Sequence, residues 1–348
     1  MATGSGLDAQ IGFKNETTVG TSAAPVTKFT TFNMSDLTFD PTYLEGTGLQ
    51  SGRKFKSVNQ AGIARRSATG KVEVPVMYKG FGWYWQHFIG SAGTASVVTG
   101  GTLAYEQYHT PGALWGKSFT TQVGKPEPAT GIVKPFTYRG CKCLDWTLTF
   151  QDNAKTLCDF TIDAWDEDTA TALAVASYPA SNIQWDFSSV TNFAIGGTPT
   201  TTSGKTTIAG SSPVTAVVTS LSLAGKNNLS NQRYGLGSGG VKKEQLENNF
   251  QEITGTFKAD YDSTNFINQF DAGTSTALQI DSFGSIIEGT TKYQLSIILP
   301  TVKITKAPVV VSGPDLVQVQ GEFTVYDPDD GQNPPIQVHI VSTDSTVL

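Results

Sequence analysis

"KGFGWYWQHFIGSAGT", Lys79 to Thr94, packs two of the chain's six tryptophans, a tyrosine and two phenylalanines into one short stretch. Phe81, Tyr84, Trp85 and Phe88 stand at i, i+3, i+4 and i+7, which puts them on one face of a helix. Gly90 closes the pattern as a glycine past a helix C-terminus does. Three roles suit so aromatic a helix: membrane anchor, ligand cage, or lid over a sheet. An anchor needs more length and a basic polar face, and neither is present. A cage would stack sugars on its Trp and Tyr faces. A lid would bury the rings, each contributing roughly 1.5–3 kcal/mol.

The rest of the chain reads as strands. Apolar and polar residues alternate at Val72, Val74, Val76, Tyr78; at Leu144, Trp146, Leu148, Phe150; and at Cys158, Phe160, Ile162, Ala164. The last two runs flank the turn-like "QDNAK" and predict a hairpin. The same alternation returns at Phe257, Ala259, Tyr261, at Tyr293, Leu295, Ile297, Leu299, and at Val317, Val319, Phe323, Val325. "DPDDGQNPP" then leads to Ile336, Val338, Ile340, which predicts a terminal hairpin. The 348 residues include 36 glycines and 16 prolines, and only 16% are charged, which fits a β-rich sandwich or barrel rather than a helix bundle.

A second helix is predicted over Asp262 to Gly273, with Asp262 or Ser263 as cap and Phe266, Ile267 and Phe270 as its stripe. Both helices follow a strand run ending in tyrosine and precede further strands and a hairpin with an acidic end, "DAWDED" (Asp163 to Asp168) or "DPDD" (Asp327 to Asp330). The stripes superpose at a spacing of 182 residues, and the tyrosines and closing glycines at 183. This favours a duplicated β domain, 1–178 and 179–348, with the Thr/Ser/Gly-rich stretch 196–213 near the join as an exposed loop or irregular hairpin. A counterpart helix without tryptophan also favours the lid over the cage. Phe81, Tyr84, Trp85, Phe88, Phe266, Ile267 and Phe270 are therefore expected to seal cores.

Reaction chemistry is missing from the sequence. "SGKTT" lacks the first P-loop glycine, since Pro199 stands there. A calcium loop starting at Asp327 would put Val338 where a bidentate Glu belongs. His87 has no nucleophile or carboxylate nearby and reads as a packed histidine. Cys141, Cys143 and Cys158, with only three scattered histidines, give no metal spacing and read as free buried thiols. No catalytic, cofactor or metal site is expected. The net charge of −6 argues against a general nucleic-acid binder, and no apolar run approaches the roughly 18 residues of a membrane span. The N-terminal residues lack a secretory pattern, so synthesis and folding in the cytoplasm are expected and the sequons at Asn15, Asn33 and Asn228 carry no meaning.

The opening stretch resembles the start of tail tube (major tail) proteins of bacteriophages with long, non-contractile tails. The matching residues are Gly12, Glu16, Gly20, Thr21 and Pro25, then Gly52 and Arg53 in a long loop, and Gly80 to Gly82 before the helix. "ITGTFKADYDSTNFINQF", "YQLSIILPTVKI" and "GPDLVQVQGEFTVYDPDDGQNPPIQVHI" resemble the family's C-terminal half, whereas Thr198 to Ser212 matches least. The resemblance implies an all-β fold of tandem tail-tube-type barrel or sandwich domains, each flanked by a short helix. It implies a structural virion protein whose domains form six-membered rings, stacked into the hollow tail through which DNA passes. Two copies per chain would make the ring a trimer with pseudo-sixfold symmetry, a hexamer being the alternative. Implied partners are other copies of the chain, a tape measure protein in the lumen, and terminator and distal proteins at the tail's ends. DNA would pass without being bound, and an acidic balance suits that, because clustered cations would hold phosphate.

For contacts between rings, the glycine-rich loop Glu45 to Gly70 offers Arg53, Lys54, Lys56, Arg65 and Arg66, with Asp166, Glu167 and Asp168 as expected partners. The competing reading is a carbohydrate-binding or adhesin-like sandwich that stacks sugars on Trp83, Trp85 and Trp115.

Overall fold

The alternating stretches fold as strands largely where their periodicity marks them, and a computed structural model describes residues 5–262, 265–311, 313–314 and 316–347. The first half contains β1 (Gln10–Asn15), β2 (Lys28–Thr30), β3 (Met34–Ser35), β4 (Thr38–Phe39), β5 (Thr42–Glu45), β6 (Ala61–Arg65) and β7 (Ala68–Pro75). Helix α1 (Gly82–Phe88) follows, then β8 (Ala95–Val97), β9 (Tyr105–His109), β10 (Phe119–Glu127), β11 (Ile132–Gln151), β12 (Leu157–Ala164) and β13 (Asp166–Asp168). The antiparallel order is β2-β1-β10-β11-β12-β7, with β3 and β4 on the far edge of β7.

The second half contains β14 (Val190–Ile195), β15 (Thr198–Thr202), β16 (Lys205–Ala209), β17 (Ser212–Pro213), β18 (Val218–Lys226), β19 (Leu229–Ser230), β20 (Leu246–Glu247) and β21 (Glu252–Asp260). Helix α2 (Asn265–Ala272) follows, then β22 (Ser275–Glu288), β23 (Thr291–Lys306), β24 (Val309–Val310), β25 (Gln318–Val325) and β26 (Gln337–Ser342). Its order is β14-β22-β23-β25-β21-β18. The series β1-β10-β11-β12-β7 and β14-β22-β23-β25-β21 thus match, and in each the last strand leads into the helix.

The halves share one sheet and one core. β18 pairs with β21 along one edge and with Asp145–Gln151 of β11 along the other. β9 pairs with β26. Past the join expected at residue 178, the chain remains on the first half: Tyr78 N–H donates to Ile183 O, and Trp185 N–H donates to Val76 O. The Trp185 ring lies 4.2 Å from that of Tyr78.

Several expectations are corrected. β25 and β26 do not form a hairpin; both run along β23, β25 against Val302–Lys306 and β26 against Gln294–Ile298. "DPDD" is the corner between them, where Asp327 accepts from Asp329 N–H and Asp330 from the N–H groups of Gln332 and Asn333. "DAWDED" is likewise no hairpin end, because β13 turns out of β12 to pair with Arg139–Thr137 of β11. The strand before α1 stops at Pro75 rather than Tyr78, and the one before α2 at Asp260 rather than Tyr261. The hairpin over "QDNAK" forms as expected. The stretch 196–213 holds the β15–β16 hairpin, whose two-residue turn, Ser203 and Gly204, has φ of +51° and +80°. That turn is what "SGKTT" encodes. On α2, Phe266 is buried and packs 4.6 Å from Phe257, and Ile267 is half-buried, but Phe270 is 43% exposed and seals nothing. Ser263, an expected cap, lies outside the described residues.

Across β21 and β25, Gly255 faces Phe323 and Gly321 faces Phe257, each ring lying over the opposite glycine. A Cβ at Gly321 would sit 2.1 Å from Phe257. Gly321→Ala is expected to cost about 1–3 kcal/mol in denaturant unfolding through overpacking. Gly62→Ala, where nothing lies within 4 Å, is expected to leave the midpoint unchanged.

Candidate assembly interface

Helix α1 is short because Gly90, at φ +72°, ends it, and its residues from Trp83 to Phe88 are buried except half-buried Gln86. Tyr84 and Phe88 pack against Phe160, and Trp85 and Phe88 against Trp146, with Phe88 stacked on Trp146 at 5.6 Å, while Phe81 is buried beside Tyr84 and Trp85. Trp83 was absent from the expected stripe, yet it is buried too, donating to Asn15 Oδ1 at 2.6 Å. A sugar has no face of Trp83 or Trp85 to stack on, and of the three tryptophans proposed for that role only Trp115, 69% exposed, is open. The helix is a lid. His87 lies inside it, 3.0 Å from Asn15 Oδ1, and burial with the charges of Lys117, Lys142 and Lys28 lowers its pKa to about 3.

Glu16 explains the glycine-rich opening. Its buried carboxylate accepts from Gly20 N–H, Ser118 Oγ, Thr120 Oγ1 and Gly140 N–H at 2.6–2.9 Å, tying the segment after β1 to β10 and β11. Trp165 then covers Gly20 and Gly140, leaving no room for a Cβ at either.

The expected contact residues fall into two groups. Arg66 is taken up inside the chain: it reaches Asp166 at 3.2 Å, and Asp166 also meets Arg139 at 3.5 Å. Asp168 accepts from the N–H groups of Ala170 and Thr171, while Glu167 sits half-buried in β13. Arg53, Lys54, Lys56 and Arg65 stay exposed on an arm, the β5–β6 hairpin with loop 46–60. Lys56 pairs with Glu45 across that arm, and the Arg65 guanidinium lies 4.7 Å above the Tyr234 ring. The arm also presents Tyr43, Leu44, Leu49, Phe55, Val58 and Ile63 to solvent, with Leu49 at 104% and Phe55 at 88% exposure. Contiguous exposed apolar area is a recognised feature of binding surfaces.

A counterpart exists in the second half. The β19–β20 pair with loop 231–245 forms a strap that lies down on the first half. Lys242 donates to Asp163 at 2.6 Å, both buried. Lys142 donates to Glu244 at 2.7 Å and to the carbonyls of Leu114 and Gln245. Gln245 bonds Asp163, Gly140 O and Trp165 Nε1, and Glu247 accepts from Leu114 N–H. Gly240, at φ +78°, lets the strap approach the arm's base, where Arg66 N–H donates to Gly240 O at 2.8 Å. Sequence reading missed this strap because buried lysines look like solvated ones until their partners are known.

The other openings are modest. A cleft of about 580 Å³ runs beside α1, with half-buried Lys28 donating to Gly80 O at 2.5 Å and its pKa lowered to about 8 by burial against the opposing pull of Asp344. Cys141, Cys143 and Cys158 are free and buried, and burial pushes their pKa values up. Among the described residues no cluster of three or more metal-ligating side chains occurs, and none of their helices is long and apolar enough to cross a membrane.

These features define a sheet-built structural protein with one anchored hairpin strap and one unanchored arm. The chain belongs to a family whose description is "Phage tail tube protein", and the family model matches residues 6–325. It is thus a structural component of the phage tail that self-assembles into the tail tube. No curated relative matches the chain.

Two outcomes follow from the buried groups. Asp163→Asn is expected to cost about 3–5 kcal/mol, because it strands the Lys242 charge, and Asp163→Leu with Lys242→Met is expected to recover most of it in urea titrations. The three imidazoles are held neutral by burial, His87 at about 3 and His109 and His339 at about 4, with His339 adding to the effect on His109 and Lys205 to that on His339. The unfolded chain takes up those protons near pH 6.5 and the folded one does not, so stability is full above that pH and falls below it. By pH 5 the loss is on the order of 2 kcal/mol per imidazole. Thermal melts from pH 7 to 5 check this, with a shallower slope expected for His109→Gln.

Proposed function

We propose that three copies of the chain close into a ring of six similar β units, and that such rings stack into the hollow shaft of a long, non-contractile phage tail. The observation that carries this reading is the matching strand order of the two halves, joined edge to edge by β18. A contact between consecutive units that is already built once within the chain closes a circle when repeated between chains, provided that its rotation divides a full turn. Edges are available for it: among the described residues β2, β3, β4 and β13 each pair along one side only. Exposed edges of this kind invite pairing with another chain.

In this reading the protein is made in the host cytoplasm and ends in the virion. A tape measure protein occupies the lumen during assembly, terminator and distal proteins close the ends, and DNA later passes through without sequence-specific contacts. The net charge of −6 supports passage over retention. The arm, with its free cations and apolar side chains, grips another copy of the chain. Arg66 leaves that set, because it holds Asp166 within the fold.

Arg53→Glu with Lys54→Glu is expected to leave the thermal midpoint unchanged and abolish tubes in negative-stain micrographs. Normal tubes from that variant would refute the role of the arm. Native mass spectrometry of isolated rings giving six chains instead of three would refute the trimer.

A further inference from the structure

We infer that the arm of one chain lies along the second half of the neighbouring chain in the same ring, in the seat that the strap takes on the first half within each chain. This rests on the ring reading above and names the arm's partner; it replaces the adjacent-ring seat expected from the sequence.

Arm and strap are the same element in two places. Each is a hairpin directly before the strand that leads into a helix, β7 for the arm and β21 for the strap, and their loops, 46–60 and 231–245, are equally long. The spacing that carries Tyr78 to Tyr261 and Gly90 to Gly273 also carries Val58 to Val241 and Ile63 to Leu246. Their surroundings differ. The strap is fastened by Lys242 to Asp163, by Glu244 to Lys142 and by Gln245 to Trp165. Beyond its base the arm leaves its apolar side chains in solvent.

The matching strand order locates the vacant seat. Phe160 of β12 faces Val72 of β7, and Phe323 of β25 faces Gly255 of β21, so Asp163 corresponds to Tyr326. The seat on the second half is therefore the corner Tyr326–Asp330 together with the end of α2. There Tyr326 is 44% exposed, with Lys303 Nζ 5.9 Å from its ring, and Phe270 is similarly open, beside the exposed carboxylates of Asp271 and Asp329. The two rings suit the arm's apolar residues, and Asp271 and Asp329 suit its cations despite the presence of Lys303. Direction follows as well: the strap of the later unit lies on the earlier one, so the first half of the next chain lays its arm on the second half of the chain before it.

The same spacing that relates Val58 to Val241 relates Asn59 to Lys242, so Asn59 of one chain is expected beside Tyr326 of its neighbour. Asn59→Cys with Tyr326→Cys, treated in assembled tubes with a short bismaleimide, tests this on denaturing gels. The native thiols are buried and do not compete. A ladder that stops at three chains is expected, with none from Asn59→Cys alone. A ladder running past the ring size would place the arm on the next ring and overturn the inference while sparing the ring. A stop at six would keep the seat and overturn the trimer. Tubes that form without cross-linking would overturn the seat, and a protein monomeric at every concentration would overturn the ring reading and the seat with it.

Discussion

The structure depends on the sharing of β18. A backbone edge left in water next to an apolar face is a hazard, and β18 removes it by pairing with β11 on one side and β21 on the other. A ladder of backbone hydrogen bonds fixes translation along the strand as well as separation, so the two halves cannot slide relative to one another. The buried pairs of the strap then fix rotation. Ion pairs out of water return little net energy, but breaking one is expensive, and so Lys242 with Asp163 and Lys142 with Glu244 hold one arrangement rather than adding much stability.

The two helices show how like elements diverge when their settings differ. Helix α1 meets Phe119, Phe160 and Trp146 of the first sheet with Trp83, Tyr84 and Trp85, so rings are buried on nearly all its sides. Under α2 Phe266 is buried against Phe257, while Phe270 turns outward. Insertions follow the same division: β8 and β9 occur after α1 and extend the sheet at β26, whereas the β15–β16 hairpin occurs only in the second half and is held there by Gln337 bonding Thr206 N–H and Gly204 O.

Strands were legible wherever one face is wet, because alternation is then enforced by burial. That is why β12, β21 and the β11–β12 hairpin could be read directly, whereas β23, buried on both faces from Leu295 to Pro300, was marked by its large apolar residues. The strand β26 was legible as a strand but not as a neighbour of β9, since pairing is set by the corner at Asp327–Gly331 and leaves no periodic mark. Trp165 hid the corner before β13 for the same reason: a ring laid over two glycines is a long-range contact. Among the proposed contact residues, charge alone could not separate Arg66, committed to Asp166, from Arg53, which is free. The arm's apolar side chains went unremarked because they neither alternate nor stripe; their meaning lies in being uncovered.

On the proposed assembly, the contrast between strap and arm follows from where each binds. Tethered by a short chain, the strap meets its seat at a high effective concentration, so even a contact of modest net energy closes fully, and polar buried pairs can serve for their precision. An arm that binds a separate molecule has no such advantage and must offset the loss of translational and rotational freedom on association. Apolar area is the means that scales with size, and the arm carries it in Tyr43, Leu44, Leu49, Phe55, Val58 and Ile63, where the strap carries lysine, glutamate and glutamine. In the proposed closed ring each such contact would be made once per chain, and closure would make them mutually reinforcing, so a single arm need not bind tightly alone. Exposed apolar area on an isolated chain is therefore the thermodynamic counterpart of a unit that is complete only in company.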